Sequence, residues 1–167
     1  MNTEQLMAEV QAVISAAFPG EPIFVDRLPK DFQRPSFALE LQKEEFTDLN
    51  ISLILKMVTV LVTGFVEVNA YYDSSREELN RRQDRLMELF AGPSLRVSGR
   101  HPTVSANKGK GAPDFCEVQV TFSWSDTRPG YQDPDDRPDL VSAAVPKMEQ
   151  YEANITSSAL DASGRTI

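Results

Sequence analysis

The sequence predicts an α+β protomer: a mostly antiparallel, twisted sheet of four to five strands with two main helices packed on it. Three observations carry this. Apolar residues recur at helical spacing in two separate segments, they alternate with polar ones from Phe115 to Trp124, and β-branched residues dominate the stretch from Ile51 to Val68. The chain has 167 residues, 17 of them basic and 25 acidic, and its net charge is -8. This is the composition of a soluble globular domain, and a chain of this length removes about 70% of its unfolded area from water. One domain is expected over residues 1–156, with an acidic loop or arm at 125–147 and a disordered tail at 157–167.

The first helix is expected from about Glu4 to Ala17. Leu6, Val10, Val13, Ile14 and Ala17 form its apolar stripe, Asn2 or Thr3 can cap it, and Gln5 completes a capping box with Asn2. Pro19-Gly20 stops it. A short extended piece at Pro22–Val25 leads to a proline-bracketed loop. Phe37, Leu39 and Leu41 then alternate with Ala38, Glu40 and Gln42 as a half-buried strand. From Ile51 the stiff Cβ-branched residues favour a sheet. The uncharged stretch between Lys56 and Glu67 has ten residues, too few for the ~20 that a membrane-crossing helix requires. Twenty-two residues to Tyr72 exceed a usual strand, so either a hairpin lies within them or one strand bends, near Gly64.

Ser74 or Ser75 can cap a second helix that runs to Phe90 before Gly92-Pro93. Glu77–Arg81 and Glu78–Arg82 have the favourable four-residue spacing on its wet face, and Leu79, Leu86, Met87, Leu89 and Phe90 supply its dry one. Two strands follow, near Leu95–Ala106 with an irregularity at Gly99 or Pro102, and at Phe115–Trp124. In the latter Cys116, Val118, Val120, Phe122 and Trp124 share one face. The basic run Asn107–Pro113 reads as their flexible connection, and the Pro, Gly and Asp residues of Ser125–Asp139 read as loop.

Few constellations for chemistry survive inspection. Asn107-Lys108-Gly109-Lys110-Gly111 lacks the spacing and the strand-to-helix context of a phosphate-binding loop. Cys116 falls on the apolar strand face, where a thiol acts as a small hydrophobe, and His101 reads as a surface residue. Asp133, Asp135, Asp136 and Asp139 crowd one segment. A calcium loop starting at Asp133 would need glycine and glutamate where Pro138 and Ala144 stand. One cysteine excludes a disulfide framework and fits a reducing compartment. The start of the chain, with Glu4 and Glu9, does not read as a secretory signal, so residence in the cytosol is expected. The net negative charge disfavours dedicated nucleic-acid or membrane binding, although Arg96, Arg100, Lys108 and Lys110 concentrate positive charge within fifteen residues.

The order of elements, with Pro22-Ile23-Phe24-Val25, Asp31-Phe32, Pro35-Ser36-Phe37 and Phe65-Val66-Glu67-Val68-Asn69-Ala70-Tyr71-Tyr72 ahead of a capped charged helix and a hairpin, resembles the phage tail terminator family. The likeness spans about residues 3–124, and reaches Asn154 if Met148–Asn154 is the closing segment. The long apolar run Ile51–Leu61 and the acidic arm depart from the family pattern. The resemblance implies a structural virion protein without catalytic residues, metal or cofactor. It implies a homo-oligomeric ring, usually a hexamer, that caps the head-proximal end of the tail tube and stops its polymerisation. The ring's partners are the tail tube protein and the head-tail connector protein, with genomic DNA in transient passage and no membrane. On this reading Arg96, Arg100, Lys108 and Lys110 form a basic hairpin that faces the channel or the tube, and Asp133, Asp135, Asp136 and Asp139 form an arm that grips a neighbouring subunit. Two other readings remain open: another head-tail connector or neck protein, and a small cytosolic α+β ligand-binding domain.

Overall fold

A computed structural model describes residues 1–92 and 95–132. Its contacts divide the chain into two compact units, Met1–Pro129 and Gly130–Ile167, and every element below belongs to the first. Helix α1 (Thr3–Ala17) begins at Asn2, whose side-chain oxygen accepts from the Gln5 amide at 2.8 Å while Gln5 Oε1 accepts from the Asn2 amide at 3.0 Å. The capping box thus satisfies two donors that the first turn would otherwise leave open. Strands β1 (Ile23–Val25), β2 (Ser36–Asp48) and β3 (Leu53–Phe65) precede helix α2 (Arg76–Ala91), and β4 (Thr103–Gly111) and β5 (Phe115–Thr127) close the fold. The sheet has the order β1-β2-β3-β5-β4, parallel only at the β1–β2 pair. The α+β, mostly antiparallel architecture expected from the sequence is the one observed, with five strands.

Register explains the core. Val58, Val60 and Val62 of β3 face Phe122, Val120 and Val118 of β5, and Leu39 pairs with Val62. All are buried on the face that Leu6, Val10 and Ile14 of α1 and Leu86 and Phe90 of α2 cover. The alternation seen in Phe115–Trp124 is therefore the signature of one dry face, as a half-covered sheet requires. On the other face Phe65 meets Phe32 with ring centroids 4.6 Å apart, and Arg34 lies over both rings.

Within the stretch from Ile51 to Tyr72 there is no internal hairpin, and its strand, Leu53–Phe65, does not bend at Gly64. The hairpin turn lies earlier, at residues 49–52, where Asn50 Oδ1 accepts from the amides of Ser52 and Leu53. From there β3 pairs with β5 without a register shift through Gly64 to Phe65. Gly64 answers a close approach: a Cβ there would stand 3.0 Å from Arg82 Nε and 3.2 Å from a Phe37 ring carbon. The irregularity sits on β2 instead, between Leu41 and Lys43. That strand runs six residues beyond the alternating segment, through polar Lys43–Asp48. Residues after Phe65 leave the sheet because Asn69 gathers the chain, its Oδ1 accepting from the amides of Tyr71 and Asp73.

The second half differs from expectation in three places. Leu95–Pro102 is no strand; Val97 and Arg100 close a tight turn with Ser98 and Gly99 at positive φ, and β4 starts at Thr103. The expected connection Asn107–Pro113 is largely strand, since β4 continues to Gly111 and only Ala112–Asp114 turn. Ser125–Thr127, expected as loop, extend β5 and pair with Leu53–Leu55. In α2, Ser75 occupies the cap position without a side-chain bond. The Glu77–Arg81 pair forms at 2.9 Å, whereas Arg82 turns from Glu78 toward the core.

Candidate assembly surfaces

Arg82 is the charged residue most deeply built into the molecule. Its side chain, 10% exposed, lies 4.1 Å over the Phe37 ring and 5.3 Å over Phe18, and pairs with the Glu21 carboxylate. A guanidinium suits this position because its flat faces accept aromatic rings while its edge donates to an anion. Arg82 also donates to the Ser36 carbonyl at 3.3 Å, so it ties α2 to β2 and to the turn after α1.

The four basic residues divide between the two ends of β4. Arg100 donates to the Ser125 carbonyl and to Asp126 Oδ1 at 3.1 and 3.2 Å, near the start of β4. Lys56 stands 3.5 Å from the other oxygen of Asp126. Partial burial opposes the charge on Asp126, but the Thr127 amide, Arg100 and Lys56 together hold its carboxyl below the usual carboxylate range. At the far end Lys108 pairs with Asp84 of α2, and the Lys110 amide donates to Glu117. Arg96 is exposed beside the Val97–Arg100 turn. Arg100 stands three residues before β4 and Lys108 five residues into it, an extended distance on the order of 25 Å, so the structure does not gather the four into one patch. Asp133, Asp135, Asp136 and Asp139, and the segments Met148–Asn154 and 157–167, lie outside the described residues.

Cys116 is buried, with its Sγ 3.6 Å from the Gly64 carbonyl, and burial raises its pKa, which leaves a neutral packing thiol. His101 is on the surface. Among the described residues no group of His, Cys, Asp and Glu is arranged to hold a metal ion, and no helix is long and apolar enough to cross a membrane.

What the surface does display is apolar. At the tip of the β2–β3 hairpin Phe46, Leu49 and Ile51 are 69%, 50% and 81% exposed. At the other end of β3, Tyr71 and Tyr72 are 89% and 75% exposed on the Asn69 turn. That turn is pinned: Ser74 donates from both its amide and its hydroxyl to the Pro113 carbonyl, and Arg34 donates to the carbonyls of Val66 and Asp114. A cavity of about 450 Å³ opens where the ends of the helices meet the start of β4, lined by Val13, Leu89, Phe90, Leu95, Pro102 and Val104. Sequence reasoning missed these surfaces. Tyr71 and Tyr72 looked like the end of a strand, and the turn-forming Asn69 and Asp73 around them were the available signal.

The chain matches the family described as phage tail terminator protein over residues 5–134, which takes in both helices and all five strands. No curated protein matches it. That family serves a structural role in phage tail assembly and is not an enzymatic one. With this match spanning all five strands, helix α2 and nearly all of α1, the chain belongs to the phage tail terminator family.

Proposed function

We propose that the protein ends the phage tail tube: copies close into a ring, a hexamer, on the head-proximal end, stop further polymerisation and offer the surface that joins the head. The family match across every element of the fold is the observation that carries this reading. The surface chemistry supports it. Two apolar regions at opposite ends of β3, about 40 Å apart along the strand, give one protomer separate places to meet different proteins. Its partners are then the tail tube protein on one side and the connector on the other, with DNA passing through the opening and no catalytic step anywhere. The protein acts in the host cytoplasm during assembly and ends in the virion.

Electron microscopy of particles produced without this protein tests the reading. Tails of uncontrolled, excessive length are the expected result. Tails of normal length that fail to join heads would instead make the protein a connector.

A further inference from the structure

We infer that the ring joint is a knob in a hole: the β2–β3 hairpin tip of one copy, led by Phe46 and Ile51, seats in the cavity beside β4 of the next. This deepens the ring reading and rests on it. Both features belong to the side of the sheet that carries the helices. Phe46 pairs with Lys56, which pairs with the core residue Trp124, and Val104 of the cavity pairs with Phe122. Phe46, on the part of β2 that runs past β1, and Val104, on β4, lie at opposite edges of the sheet and within two residues of the same level along β5.

A contact between unlike patches joins copies head to tail, and it yields the ring where the rotation from one copy to the next closes. The patches also match in chemistry. The tip is an exposed cluster of large apolar side chains, and the cavity has the volume to take one, with Val13, Leu89, Phe90, Leu95 and Val104 on a wall that His101 and Thr103 complete. Glu44 stands exposed beside the tip and Arg96 beside the cavity, each without an ion-pair partner among the described residues, so the flanking charges are complementary. The occupant of the cavity is thus a second copy of this chain.

The test is a pair of variants examined by native mass spectrometry, with circular dichroism to verify folding. Phe46→Glu disables the knob and leaves the cavity open; Val104→Trp, at a half-buried position that shares the cavity's face of the sheet, blocks the hole and leaves the knob. Each alone is expected as a monomer of 18.6 kDa, and an equal mixture as a dimer that grows no further, since only one intact joint can form. Ile51→Glu, at a turn position 81% exposed, repeats the knob test should Phe46→Glu fold poorly. Assembly by either knob variant or by Val104→Trp, or a mixture that stays monomeric, overturns the joint while a wild-type ring leaves the ring reading standing. A wild-type chain that is itself monomeric overturns both.

Discussion

Gly64 shows how a single residue type can be misjudged from sequence and explained by its neighbours. Inside a run of β-branched residues a glycine suggests a bend, yet the strand passes through it straight, and the missing side chain admits the Arg82 guanidinium and the Phe37 ring. Gly64→Ala should therefore destabilise the fold by about 1–3 kcal/mol, the usual range for overfilling a packed site, as read by urea unfolding. No loss of stability would mean that Arg82 is free to move aside. Cys116, by contrast, was legible beforehand. Its position in an alternating run put it on the dry face, where the structure has it.

Among elements, legibility followed the helices. Strand β5 and helix α1 bury one face along most of their length, so their periodicity shows in the sequence. The outer half of β2 has no helix over it, and Lys43–Asp48 consequently carry no alternation to read. Strand β4 was expected over Thr103–Ala106, whose Val104 and Ala106 pack on the core, and only its polar continuation Asn107–Gly111 hid inside an expected loop. The ends of these strands are fastened by charges. Asp126, with its carboxyl held below the ordinary value near 3.8, receives Arg100 and Lys56. A depressed carboxyl stabilises the fold above its unfolded value and loses that contribution as pH falls through the folded one. The wild-type chain should thus melt higher than Asp126→Asn near neutral pH, and the gap should close below about pH 3.8. An equal gap at every pH would assign the difference to packing.

For the whole molecule, the fold class was readable and the assembly surfaces were not, because exposure depends on where each element stops. The basic residues illustrate this. Four positions within fifteen residues suggested one patch, but an extended strand carries Arg100 and Lys108 to opposite ends, and Asp126 and Asp84 partly neutralise them. If the hairpin that bears Lys108 and Lys110 faces passing DNA, their joint replacement by Glu should lower the yield of infectious particles with the ring still formed. Lys110→Glu alone leaves the Lys108–Asp84 pair in place and isolates the effect of charge in the channel. Wild-type yields from both variants would remove the hairpin from that role.

The brevity of β1 has a consequence for copies still waiting to assemble. Its three residues cover β2 only as far as Leu39, so the rest of that rim presents bare amides and carbonyls to water. The kink after Leu41 and the clustered carboxylates and lysine beyond it make the rim a poor template for indefinite stacking. Copies that meet rim to rim are thereby kept from adding into an open-ended sheet.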